Sequence, residues 1–290
     1  MSRRRIFASA LAGMLAGALL IAIADALSEP AAIPAAPGTQ RLAAETAMGV
    51  NGRAKFLDFA ITPRRPGNLL SRSGVAGRSA RGRQIRLLQY GDPAIHGRVL
   101  VFGCIHGDEC AGRELRPLTA ITSFCPDWAS DVYVVPNLNP DGTALGTRLN
   151  GRGVDLNRNF AAGWRPIGKR GSPQYSGPSS FSEPETRLAA RIVQRLRPAV
   201  TIWFHQQRAA KPLVRAWDGS VAAAARFAQL AELPFRRLPW LAGTAPNWQN
   251  HRFPAATSFV VELPRGPIGE GRKARLERAI VRLGRQVGED

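Results

Sequence analysis

Short, almost wholly apolar runs recur along this chain at Arg98–Ile105 (RVLVFGCI), Asp131–Pro136 (DVYVVP), Ala199–Phe204 (AVTIWF) and Ser258–Leu263 (SFVVEL). They are too short for core helices and rich in β-branched residues, so they predict buried strands. Arg83–Tyr90 (RQIRLLQY) predicts a further strand, set off by the turn chemistry of Gly91-Asp92-Pro93. Elsewhere the period lengthens to that of a helix. Ser182–Arg197 opens with Ser182 as N-cap, Pro184 in the first turn and Glu185 at capping-box spacing, and Pro198 closes it. Gly269–Gly288 reads as a basic amphipathic helix packed on the sheet, and the segment from about Ala111 to Phe124 is also helical in pattern. Strand, turn, helix, strand is the order of an α/β sheet, whose ligands gather at the carboxyl ends of the strands.

The remaining stretches divide the chain. Met1–Arg5 (MSRRR) is basic, Ile6–Ala24 is uncharged and apolar, and small residues at Ala22–Ala26 stand at cleavage spacing. Residues 1–26 therefore read as a signal peptide, loosely of twin-arginine type, with an uncleaved membrane anchor as the alternative. Ser28–Gln40 is a Pro- and Ala-rich linker, Arg41–Leu70 carries no assigned element, and residues 71–290 make one large domain. Within it, Asn137–Trp164 is mostly loop, dense in Gly and Asn, and a loop of that length is more often functional than idle.

Charge narrows the partners. A formal net charge of +19 favours polyanions. The basic residues are scattered, with no aromatic-interleaved basic patch, and an exported chain does not meet chromosomal or messenger nucleic acid, which leaves an acidic cell-wall polymer or anionic lipid. Among the three cysteines, Cys104 reads as a core thiol in its strand, while Cys110 and Cys125 flank the expected helix and leave one disulfide open. None has the C-x-x-C spacing of a thiolate metal site.

The chemistry concentrates at strand ends. The run Val101–Ile105 breaks into His106-Gly107-Asp108-Glu109, an imidazole and a carboxylate three residues apart that suit one Zn²⁺. A catalytic zinc site takes three protein ligands and keeps a position for water. The third candidate is His205, at the end of Ala199–Phe204; of the other histidines in a total of four, His96 and His251 sit in polar, turn-like contexts. Glu262 is a carboxylate in an apolar strand, where an unpaired charge is costly and usually has a task.

Six motifs then appear in one order: His106–Glu109; Asn139-Pro140-Asp141-Gly142; Gly153–Phe160 (GVDLNRNF); Tyr175–Pro178 with Phe181–Glu185; His205; and Val261–Pro264. In this the chain resembles the zinc metallocarboxypeptidases of the carboxypeptidase A type, and most of all their short bacterial branch of murein peptide amidases. The resemblance implies a three-layer α/β/α fold around a mixed, mostly parallel central sheet. It implies one Zn²⁺ per chain on His106, Glu109 and His205, with Glu262 as general base. It further implies that Arg148 holds the developing oxyanion and that Asn157 and Arg158 clamp the substrate's terminal carboxylate, chemistry suited to a planar guanidinium. The substrate expected is a peptide with a free carboxylate, in murein-derived material, cut in the periplasm or outside the cell. One departure stands out. The family's mobile tyrosine before the catalytic glutamate has no counterpart, since Tyr90, Tyr133 and Tyr175 all lie far upstream, and Trp240, Asn247 or Trp248 occupies that neighbourhood. Two other readings stay open: an N-acyl amino acid deacylase of the succinylglutamate desuccinylase and aspartoacylase type, and a non-catalytic wall-binding protein.

Overall fold

A computed structural model describes residues 70–91, 97–115, 131–207 and 211–289. The expected signal segment, the linker, His96, Cys125 and most of the helix expected over Ala111–Phe124 lie outside the described residues. Everything described belongs to one compact unit.

Eight strands form a single mixed sheet: β1 (Leu70–Arg78), β2 (Gln84–Gly91), β3 (Val99–Phe102), β4 (Asp131–Val135), β5 (Val200–Gln207), β6 (Leu213–Ala216), β7 (Phe235–Arg237) and β8 (Thr257–Pro264). Their order across the sheet is β1-β2-β4-β3-β5-β8-β6-β7. The middle of the sheet, β4-β3-β5-β8, is parallel throughout, and β1, β2 and β6 add antiparallel pairings at its flanks. Parallel strands need coverage on both faces. The helices that supply it are α2 (Pro184–Leu196), α3 (Val221–Ala231), α4 (Ala245–Arg252) and α5 (Glu270–Glu289), with a short α1 (Pro140–Leu145) in the long Asn-rich loop.

Side chains alternate between two cores, as the period of a strand requires. Val99, Val101, Ile202, Phe204, Phe259 and Val261 pack with α3 and α5. Leu100, Phe102, Trp203 and Val260 face the other way, toward α2 and α4. There the rings of Phe102 and Trp203 stack at 3.9 Å, and Phe160, Phe181, Trp248 and Phe253 continue the aromatic layer. His205 and Glu262 each lie two residues beyond a member of this second face, so both project onto its side of the sheet.

Several expectations need correction. β3 stops at Phe102, because the chain turns at Gly103 to form the His106 loop. β5 runs on to Gln207 alongside β8, so His205 sits inside a strand instead of after one. Glu183, not Ser182, is the N-cap of α2, and no side chain caps it. Ser182 instead donates to the Glu183 carboxylate, while Glu185 accepts from the amide of Ala80 and from Asn150. The capping groups are spent on tertiary contacts. From Ala111 the described chain makes one 3₁₀ turn to Glu114. Neither a free Cys104 nor a Cys110 reserved for Cys125 is found: Cys104 and Cys110 are bonded to each other, their Cα atoms 4.5 Å apart where the turn brings Cys110 back over the end of the strand.

Candidate active site

The turn after β3 is held from both sides. Within it the Glu109 amide donates to His106 O at 3.0 Å. Behind it, Gly107 lies against the backbone of Gly142 so closely that a Cβ has no room. Gly142 in turn donates to the Asn139 side chain at 2.9 Å, the cap of α1. Asp141 is fully buried and accepts from the Arg81 amide and the Arg83 guanidinium, both at 2.8 Å. The Asn-Pro-Asp-Gly motif is thus a buttress for the histidine turn.

Three donor atoms converge beyond it. His106 Nδ1 stands 2.9 Å from Glu109 Oε2, His205 Nδ1 stands 3.0 Å from the same oxygen, and the two ring nitrogens are 3.2 Å apart. Tetrahedral zinc with ligands at about 2.0–2.2 Å sets its donor atoms roughly 3.3 Å apart, so this triangle has the size of one face of such a site. Two imidazole lone pairs and a carboxylate aimed at one point repel one another unless a cation or protons lie between them, and among the described residues this is the group of His, Cys, Asp and Glu side chains that fits a metal ion.

At His106 an outer contact fixes the tautomer that such a site needs. His106 Nε2 faces Asp155 Oδ1 at 3.0 Å, which assigns the ring proton to Nε2 and leaves Nδ1 as the lone-pair donor. Asn157 presents its Oδ1 to the amide of Ala245, so its Nδ2 faces His205 Nε2 at 3.5 Å; it donates there when the ring proton is on Nδ1, and the pair is donor to donor when Nδ1 is the metal ligand. Electrostatics follow the same pattern. Burial works against a charged His106, but Asp155 and then Glu109 overcome it and raise its pKa. Burial likewise pushes the two carboxylates up, yet the histidines hold Glu109, and His106 with Arg148 holds Asp155, well below the usual range. The pocket is tuned to hold positive charge.

All seven residues singled out from the sequence meet here. His106, Glu109, Arg148, Asn157, Arg158, His205 and Glu262 line one cleft of about 220 Å³. Arg148 bridges two carboxylates, with Nη1 to Glu109 Oε1 at 2.8 Å and Nε to Asp155 Oδ2 at 3.0 Å. Arg158 is buried and its Nη1 donates to Asn157 O at 2.7 Å. Glu262 is buried, and its Oε2 has no hydrogen-bond partner among the described residues. Of the residues near the missing tyrosine, Trp240 lines the cleft, Trp248 belongs to the aromatic core, and Asn247 donates to Ala162 O.

Two contributors escape sequence reasoning. Asp155 carries no role there, although an aspartate between Val154 and Leu156 inside the longest motif was a signal. Arg215 also lines the cleft, and its only mark in the sequence is a charge within the apolar run Leu213–Ala216.

The chain is similar in sequence and fold to known proteins. The zinc carboxypeptidase family model matches residues 68–210. Murein peptide amidase A of Escherichia coli (strain K12) is 35% identical over 121 residues, which cover 37% of this chain and 48% of that protein. The carboxypeptidase N catalytic chain of Mus musculus is 29% identical over 167 residues, 44% of this chain and 36% of that one. The chain spans about half the length of the first of these curated relatives and about a third of the second. Among solved structures, the murein-tripeptide amidase of Escherichia coli O157 is similar with a TM-score of 0.57 and 26% identity, covering 77% of this chain and 97% of that one. Carboxypeptidase A from Helicoverpa armigera shares the fold with a TM-score of 0.60 at 21% identity, covering 76% of this chain and 68% of that one.

Proposed function

We propose that this chain, which matches the zinc carboxypeptidase family over residues 68–210, is an exported hydrolase that cuts the amide bond next to a carboxylate-bearing terminal residue of murein-derived peptides. The observation that carries the reading is the triangle of His106, Glu109 and His205 donor atoms with the unpartnered Glu262 carboxylate beside it.

His106, Glu109 and His205 would hold the zinc, which when bound would supply Lewis acidity to the site. The chain's own groups do the rest. Glu262 takes a proton from the attacking water at Oε2 and delivers it to the departing amine, and among the described residues no donor competes for that oxygen. Arg148, anchored through Nη1 and Nε, keeps its position while charge grows on the scissile oxygen and needs no reorganisation to stabilise it. Arg158 and the Asn157 amide hold the substrate's terminal carboxylate, for which a guanidinium offers parallel donors. Asp155 keeps His106 in the productive tautomer.

Export rests on the basic and apolar segment Met1–Ala26, and the murein substrate on the likeness to the amidases together with the net charge of +19. The test offers the zinc-loaded protein L-alanyl-γ-D-glutamyl-diaminopimelate, a dipeptide with a hydrophobic C-terminus, and N-acetyl-aspartate at equal concentrations. Preferential cleavage of the wall peptide is expected. Preference for N-acetyl-aspartate assigns the chain to the deacylases, and preference for the hydrophobic dipeptide makes it an ordinary carboxypeptidase.

A further inference from the structure

We propose that Arg215 recognises a second carboxylate, carried on the side chain of the terminal residue, so that the cleft selects peptides ending in a diacidic residue. This rests on the reading of the cleft as a peptide-hydrolysing site and adds what that site discriminates.

Arg215 sits on β6, paired in register with Val260 of β8 and therefore two residues from the position opposite Glu262. It lines the same cleft as Glu262, Arg158 and Trp240. Its guanidinium carbon lies 5.5 Å from the Trp240 ring centroid, and Nη2 donates to Pro239 O at 3.2 Å. These contacts aim the group without neutralising it. Among the described residues Arg215 makes no ion pair, and its Nε is buried with no acceptor. The indole Nε1 of Trp240 is likewise buried and unpartnered. A buried donor left unmade costs free energy, and a guanidinium cannot escape by losing its proton. A carboxylate bound in the cleft offers the Arg215 guanidinium the acceptor oxygens that its surroundings do not supply.

Charge gives the ligand its class. Arg215 opposes the charge of Arg158, burial lowers the pKa of both, and the charge that favours the Arg215 cation is the Glu262 carboxylate, which the proposed reaction needs free. Two cations facing one cleft repel until an anion bridges or separates them. If Arg158 takes the main-chain carboxylate, Arg215 gains an anionic partner other than the Glu262 base only when the terminal side chain supplies one. A lysine or arginine terminus instead adds a third cation. Diaminopimelate meets the requirement, since it differs from lysine by one distal carboxylate.

Three tripeptides isolate that group: L-alanyl-γ-D-glutamyl followed by meso-diaminopimelate, by 2-aminopimelate, which keeps the distal carboxylate without its amine, or by lysine, which keeps the amine without the carboxylate. With zinc-loaded wild type, the first two should exceed the third by about tenfold or more in kcat/KM, mostly through KM, as for a hydrogen bond to a charged group. Arg215→Met should bring that ratio below about threefold, whereas Arg215→Glu should reverse it in favour of lysine. Equal cleavage of all three by the wild type overturns the role of Arg215 and leaves the peptidase reading intact. Cleavage of none of them overturns both. An unchanged ratio in Arg215→Met overturns Arg215 alone, and if neither variant folds, the wild-type ranking of the three peptides decides.

Discussion

Glu262 and His205 are register partners in the β5–β8 ladder, one residue of the proposed metal set directly opposite the proposed base. Neighbouring strands lie about 4.8 Å apart, so the spacing between these two side chains is set by backbone hydrogen bonds and not by a loop. The carboxylate is buried, with Oε2 unbonded among the described residues.

Replacing that carboxylate by an amide of the same shape should therefore leave the ladder and the metal set untouched while removing the proton acceptor. Glu262→Gln is expected to bind zinc as the wild type does and to lose at least about a hundredfold in kcat, the usual weight of a general base. Zinc content by atomic absorption and turnover of a wall tripeptide check the two halves. A variant with near wild-type kcat assigns the base to another group.

The metal set gives a graded expectation. His205→Ala removes one of three ligands and should abolish stoichiometric zinc. Asp155→Asn removes the charge and one of the two accepting oxygens shared between His106 and Arg148, and should weaken zinc by about 10–100-fold without abolishing it, as disturbing an orienting partner usually does. Competition with a chelating dye measures both. Equal losses in the two variants argue that Asp155 supports the fold of the turn and not the tautomer of the ring.

Arg148 and Arg158 should separate kinetically. Arg148 is positioned for charge that develops only as the bond breaks, so Arg148→Ala should chiefly lower kcat. Because its Nη1 is bonded to Glu109 Oε1, the same change should also loosen zinc. Arg158 has no carboxylate within ion-pair distance among the described residues, and Arg158→Ala should chiefly raise KM with zinc unaffected. A pure KM defect in both variants contradicts these roles.

How much of this was legible beforehand varies with the physics. The central strands were plain because β3, β4, β5 and β8 are buried on both faces, and burial on both faces writes a continuous apolar run. β6, with its Arg215, is half-covered and leaves a mixed string, and β7 is largely exposed and reads FRR. α3 is so rich in alanine that its face is faint. In the cleft, residues of distinctive chemistry at strand ends were found: His106, His205 and Glu262. Asp155 and Arg215 act through partners distant in sequence, and no local pattern marks such a pairing. The capping box of α2 failed for the same reason, because Glu185 answers Ala80 across the fold and not its own helix end.

A last expectation concerns the other end of the sheet. Asp131 opens β4, has a fully buried side chain, and accepts from Gln89 Nε2 at 3.0 Å and Arg98 Nε at 3.2 Å. Burial pushes its pKa from 3.8 up to about 6, with Gln89 and Arg98 only partly opposing. The folded state therefore keeps a proton that the unfolded chain has already released between about pH 4 and pH 6, so stability falls as pH rises through that window. At about 1.4 kcal/mol per pKa unit, the loss is on the order of 2 kcal/mol. Asp131→Asn cannot titrate, and its unfolding free energy minus that of the wild type should climb by that amount from pH 4 to pH 7. Urea unfolding of both proteins across the range reads the difference directly, with other titrating groups cancelling. A difference that stays flat with pH places the Asp131 pKa at its unfolded value and assigns Arg98 the stronger hand.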